Sequence, residues 1–254
     1  MRRFLFFLLL VFAASGIESA FAQKVIEKSA NIGKNQRLFL NLRQASNIRI
    51  RSGSGNKMTL KASVSINQNR LNDALLLTLD ESGDEVKLTS EFDKEMLRKA
   101  EPGDCPNGGS YYGDTYSTTT NTTIINGKVT PGRDRDGNTI AQVCAVIEYE
   151  ITVPADVALR VSTISGNIDI AGLNGTMDVK SISGFVDVAW PDSKGAELSL
   201  KTITGEVYTD QDIAFDNRKE NPMVGYQLRG KLKGSGPLVK LESISNDVYF
   251  RKRK

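Results

Sequence analysis

The sequence predicts an all-β chain folded as a β-solenoid or β-helix-like stack of roughly twenty-residue repeats, and three observations carry that prediction. First, the phrase "VSTISGNIDI" at 161–170 returns as "VKSISGFVDV" at 179–188. Second, the copies align on Gly166, Gly184, Gly205 and Asn246, with apolar residues in the same places around each anchor. Third, the anchors are 18, 21 and 41 residues apart, the last interval reading as about two units. Repeats of this period belong to stacked units that cannot bury a core face alone.

The columns justify each strand. Seven residues before the anchors stand Leu159, Met177, Leu198 and Val239; five before, Val161, Val179, Leu200 and Leu241. Two before stand Ile164, Ile182, Ile203 and Ile244; two after, Ile168, Val186, Val207 and Val248. Four after come Ile170, Val188, Thr209 and Phe250, with Thr209 the one polar exception. Alternation on either side of the anchor is strand periodicity. The parity breaks between the fifth and second residues before it, so each unit reads as strand, corner, strand. The isoleucines are expected to point inward, and Gly or Asn to supply left-handed or otherwise open backbone angles at the corner.

Serine and threonine flank each isoleucine: Thr163/Ser165, Ser181/Ser183, Thr202/Thr204 and Ser243/Ser245. They are expected to project outward or to bond the corner backbone. An Asp/Tyr column (Asp169, Asp187, Tyr208, Tyr249) reads as the solvated face of a strand with the chemistry to contact a sugar or peptide. Residues 210–237, where Gly225 falls at the expected spacing but its flanks do not match, read as a degenerate turn with a loop insertion.

The N-terminal half, 35–153, is looser. Alternation around Leu38-Leu40-Leu42, Ile48-Ile50 and Met58-Leu60, then "EVKLTSEF" and "CAVIEYEITVP", marks strands, and Leu71, Ala74 and Leu75 have the spacing of a short helix. Residues 98–142 form a Gly/Ser/Thr/Asn-rich insertion; loops of this length in a compact fold are functional or disordered. Tyr111, Tyr112 and Tyr116 give it the composition of an adaptable binding loop. Asp134, Asp136 and Asn138 alternate as calcium ligands do, without the later acidic ligand such loops carry.

The start of the chain predicts export. Arg2 and Arg3 precede an apolar run from Phe4 to Ala13 and an Ala20-Phe21-Ala22 cleavage site, the anatomy of a signal peptide over 1–22. The run is half the length a membrane span needs. The expected organisation is a lead-in over 23–34, then one β-repeat domain over 35–254 with its regular repeats at 154–250. In an exported chain Cys105 and Cys144 are expected to pair; the closed loop of about 40 residues would add about 3–4 kcal/mol. The chain contains no histidine, which removes Ser-His-Asp and Cys-His catalysis and the usual zinc sites. Without the leader, 31 basic residues face 29 acidic ones, so no nucleic-acid footprint is expected. No P-loop, dinucleotide or zinc motif is present, and no cofactor or metal is expected.

The repeats, with steps Gly166-Asn167, Gly205-Glu206 and Asn246-Asp247 and a Val153-Pro154 lead-in, resemble the bacterial putative-adhesin family, exported β-strand-repeat proteins with a domain of unknown function. Gly184-Phe185 departs from that pattern. The resemblance covers roughly 35–250 and brings no catalytic or binding residues. With the column pattern and the absence of histidine it implies an exported, non-enzymatic, adhesin-like binding or structural module, periplasmic, cell-surface or secreted; its partner stays open, with a surface glycan or a protein as candidates. Two alternatives stay open: a polysaccharide-active enzyme using paired carboxylates on a β-helix, and an envelope scaffold that self-associates through open ends.

Overall fold

The computed structural model describes residues 22–101, 103–106, 110–112, 123–125, 128–130, 141–216 and 225–253. The leader up to Phe21 lies outside them. In chain order the strands are β1 (Lys24–Asn31), β2 (Arg37–Leu42), β3 (Asn47–Gly53), β4 (Lys57–Ile66), β5 (Leu75–Asp80) and β6 (Glu85–Phe92). Then come β7 (Ser110–Tyr112), β8 (Thr123–Ile125), β9 (Lys128–Thr130), β10 (Ala141–Val143) and β11 (Ala145–Pro154). The repeat region holds β12 (Ala158–Thr163), β13 (Asn167–Ala171), β14 (Met177–Ser181), β15 (Val186–Pro191), β16 (Ala196–Thr202) and β17 (Val207–Thr209). It closes with β18 (Ile213–Phe215), β19 (Tyr226–Leu232), β20 (Leu238–Ser243) and β21 (Val248–Arg253). The short helix expected around Leu71–Leu75 is a single 3-10 turn, Asn72–Ala74, because Leu75 already pairs with Phe92 and starts β5. One helical turn not foreseen, α1 (Lys94–Leu97), is capped by the Asp93 carboxylate, which accepts from the Glu95 and Met96 N–H groups.

Two sheets enclose one apolar core. The first has the order β1-β4-β11-β3-β13-β15-β21-β17 and the second β18-β19-β16-β20-β14-β12-β2-β6-β5. Each repeat contributes its first strand to the second sheet and its second strand to the first, as strand-corner-strand requires. The repeats pair in parallel and in register: Leu159 beside Met177, Met177 beside Val239, Leu198 beside Val239. Antiparallel strands finish the stack, β4 and β1 at one end of the first sheet, β5 and β19-β18 at the two ends of the second. The apolar columns on either side of the corner fill the core, with Val207 and Thr209 half-buried at the edge strand.

The stack is not sequential. The fourth repeat (β20-β21) sits between the second (β14-β15) and the third (β16-β17), so the 41-residue interval is a return path and not two units. Residues 210–237 are correspondingly no degenerate turn: β18 and β19 pair antiparallel and extend the second sheet beyond β16. The β2-β3 unit is a further turn of the same kind, with Leu42 beside Thr163 in the stack and Ala45 at the corner beside Gly166.

The corners reverse the expectation of inward isoleucines and bear out the hydroxyls' bonding to the corner backbone. Ile164, Ile182 and Ile203 are 37 to 39% exposed, and the hydroxyl residues three before the anchors are buried instead: Thr163, Ser181, Thr202 and Ser243. The strand's parity therefore continues one position further than the apolar pattern does. Each buried hydroxyl accepts from the anchor's N–H, at 3.3, 2.9, 3.0 and 3.1 Å for Gly166, Gly184, Gly205 and Asn246. Three of them also donate to the neighbouring corner's carbonyl: Ser181 to Gly166, Ser243 to Gly184 and Thr202 to Asn246, each at 2.9 Å. One side chain thus satisfies a donor and an acceptor that the turn leaves buried. The anchor glycines are not in the left-handed region. They are small because the corners touch: a Cβ on Gly184 would meet the Gly166 carbonyl oxygen at 2.0 Å, and one on Gly205 the Asn246 oxygen at 2.2 Å.

Replacing Ser181 isolates the hydroxyl. Ser181→Thr, the residue used at two other corners, is expected to be near neutral. Ser181→Val keeps that shape but leaves Gly184 N–H and Gly166 C=O unpaired, and is expected to lower the unfolding free energy in denaturant by about 1–3 kcal/mol. Equal stability of the two variants would show that the hydroxyl is not what the corner needs.

Candidate functional site

The insertion leaves the stack at a polar knot. Cys105 and Cys144 are disulfide-bonded with a Cα–Cα distance of 5.6 Å, as the pair of cysteines predicts. Beneath the bond lies Asn67, fully buried, at the end of β4. Its amide nitrogen donates to Gln142 O at 3.0 Å and to Asp104 Oδ2 at 3.2 Å, while its Oδ1 accepts from Cys144 N at 3.0 Å. Its backbone N–H bonds Cys144 O at 2.9 Å. Asn67, Gln68 and Asn69 all have positive φ, 48°, 55° and 70°, a conformation asparagine tolerates better than most side chains.

Asp104 completes the knot from the other side. Its carboxylate is nearly buried, takes Arg70 Nη1 at 2.7 Å and accepts Glu101 N–H at 2.9 Å. Arg70 also reaches Glu101 at 3.0 Å, and Gln68 Nε2 donates to Asp104 O at 3.1 Å. The hydrogen bonds and the opposing charge compensate a carboxylate that is costly to bury alone. Both ends of the insertion are therefore fixed to the end of β4 within a few ångströms of each other.

Of the tyrosines expected to form a binding loop, Tyr111 and Tyr112 lie on β7, whose backbone pairs antiparallel with β10 immediately before Cys144. Tyr116 lies outside the described residues, as do the calcium candidates Asp134, Asp136 and Asn138. Among the described residues no group of three or more His, Cys, Asp or Glu could hold a metal ion.

The Asp/Tyr column is more organised than a merely solvated face. Along the outer face of the first sheet, Tyr249 stacks on Tyr208 at 5.1 Å and meets the edge of Phe185 at 6.1 Å. The Tyr249 hydroxyl donates to Asp247 at 3.0 Å and that of Tyr208 to Glu206 at 2.8 Å. Asp169 forms a two-bond pair with Arg51, at 2.6 and 3.1 Å, and Asp187 is paired with Arg251. Out-of-order stacking brings Tyr249 beside Tyr208, which no sequential reading places together. Asn67, Asp104 and Arg70 escape the sequence reading altogether; the run Asn67-Gln68-Asn69 after an alternating strand is the one signal for them.

No family model and no curated protein matches the chain. Two solved structures match over most of the chain. A putative cell adhesion protein from Clostridium sporogenes shares 12% identity at a TM-score of 0.48, covering 91% of this chain and 100% of that one. A putative adhesin from Bacteroides fragilis shares 11% identity at 0.34, covering 91% and 98%.

Asn67→Ala is expected to cost about 1–3 kcal/mol in the disulfide-bonded protein. In a Cys105→Ser/Cys144→Ser background its cost is expected to shrink, because both fix the same chain ends; additivity in denaturant unfolding would show that they act separately. The row of tyrosines offers a pH test. The hydrogen bond to Glu206, and then its charge, push the Tyr208 phenol up to about 12. A phenol raised by folding contributes stability that is full below its unfolded value of about 10 and is lost as pH rises toward 12. Ultraviolet titration of Glu206→Gln is expected to return one tyrosine toward the ordinary range; an unchanged titration curve refutes the coupling.

Proposed function

We propose that the chain is an exported, non-enzymatic, adhesin-like module that displays a disulfide-clamped insertion from a rigid two-sheet stack. The observation that carries the reading is the knot at 67–70, 101–105 and 142–144. A segment of nearly forty residues is held at both ends by a covalent bond and a buried polar network, so its two termini cannot drift relative to the scaffold. Loops anchored on a rigid frame are the usual carriers of recognition, since the frame limits the ordering cost on binding. The disulfide and the leader-like start agree with an oxidising, extracytoplasmic location.

The test replaces residues 107–140 by a short Gly/Ser bridge and keeps both cysteines. In a glycan and surface-binding screen, at least one ligand of the mature chain is expected to be lost on replacement, with thermal unfolding of the stack unchanged. Retention of every ligand would overturn the assignment to the insertion. Turnover abolished by a point mutation would overturn the non-enzymatic reading.

A further inference from the structure

We infer that the outer face of the nine-stranded sheet is a docking surface for a linear acidic polysaccharide. The face consists of two adjacent rows of outward side chains crossing β6, β2, β12, β14, β20, β16 and β19. In the first row Lys87, Arg160, Lys240 and Arg229 stand on alternate strands, with Phe39, Asp178 and Ser199 between them. In the second row Lys180 and Lys201 occupy two of the strands that the first row leaves without a cation. Six cations against two carboxylates, Asp178 and Glu242, leave a net of four positive charges on fourteen positions. The positive charge is confined to these two rows: Asp80 on β5 stands opposite Lys87 at one end, and in the adjoining row Glu85 and Glu197 stand beside Arg37 and Lys231.

The arrangement has a period. Hydrogen-bonded strands lie about 4.8 Å apart, so cations on alternate strands repeat at about 9–10 Å. An extended (1→4)-linked uronan with two-fold character turns every second carboxylate to the same side, an interval of the same order. The in-register parallel pairing, which repeats each outward position from strand to strand, suits a polymer of fixed repeat. Arg160 is held in place on this face, its guanidinium lying over the Phe39 ring at 4.6 Å, with Lys87 at 5.7 Å from the same ring. Among the described residues neither Arg160 nor Lys240 forms an ion pair. Glu242, in contrast, is shared by Lys180 and Lys201 at 3.3 Å each, so Arg160 and Lys240 of the first row supply the open charge. The equivalent rows of the other sheet are not cationic: Arg49, Arg51 and Arg251 face Glu150, Asp169 and Asp187 there.

The inference uses the display reading only in needing an extracytoplasmic polymer, and it does not involve the insertion. The experiment is affinity electrophoresis and biosensor binding of the full mature chain on polygalacturonate and alginate, with a neutral (1→4)-glucan as control. Retardation is expected on both uronans and not on the glucan, weakening several-fold as salt rises from about 50 to about 300 mM. Arg160→Glu/Lys240→Glu is expected to weaken binding at least tenfold, while Arg49→Glu/Lys61→Glu, with the same change in net charge on the opposite sheet, leaves it within twofold. Thermal unfolding of both variants checks that the stack is intact. No retention on either uronan overturns the proposal, and so does equal loss in the two variants, which would make net charge the cause. Equal or stronger binding to anionic phospholipid vesicles or to duplex DNA would overturn the choice of polysaccharide. Uronan binding that survives replacement of 107–140 upholds this surface even where the insertion reading fails.

Discussion

Everything regular in this protein follows from how closely its corners are stacked. At two corners the neighbour's carbonyl sits where a side chain would have to go, and Gly184 and Gly205 leave room for it. At that distance the peptide groups of adjacent turns are shut away from water and must find partners inside the protein. In three of the turns a single Ser or Thr does this twice, taking the N–H of its own corner and giving its proton to the carbonyl next door. Spacing and registry are thereby set at one point in each turn. The strands on both sides inherit them, which is why Val161, Val179, Leu241 and Leu200 line up as one column of the core.

That same point is where reading the sequence goes astray. An isoleucine flanked by serine and threonine reads as the buried member of the three, since transfer from water favours the hydrocarbon. The fold chooses otherwise, because the corner's backbone requires a hydroxyl inside and the isoleucine is carried to the rim. The apolar columns on either side were legible, since their two-residue alternation is local and unbroken. Stacking order was not, because parallel pairing joins residues such as Met177 and Val239 that are far apart in the chain, and every repeat offers much the same edge. The β2-β3 turn is hidden by Leu42 in place of the hydroxyl and by a corner that carries no glycine. The disulfide was legible from two cysteines and a leader-like start. The Asn67-Asp104-Arg70 knot was not, because isolated polar residues in loops are common and only their convergence in space distinguishes these.

The two broad faces differ although the turns are alike. On the eight-stranded sheet, carboxylates and guanidinium groups neutralise each other across strands and the phenols of Tyr208 and Tyr249 are tied to carboxylates. On the nine-stranded sheet the cations alternate with Phe39, Asp178 and Ser199 and outnumber the carboxylates. A repeat that fixes the position of every outward side chain allows each face to be written separately, since changing an outward residue leaves the corner and the core untouched.

The interleaved order has a consequence for how the protein comes to be folded. While the chain is being made or threaded, the slot between β14-β15 and β16-β17 stands open, and its occupant follows both of them in the chain. Until then two strand edges in each sheet lack their neighbour, and the corner carbonyl of Gly184 lacks the hydroxyl of Ser243. The fourth repeat acts as a keystone: β17, and β16 with β19 and β18, join the two sheets only through it. That last docking joins strands of long sequence separation, the contacts that form most slowly. An unfinished copy would therefore have its earlier turns paired while β16 to β19 stay undocked until that repeat has followed.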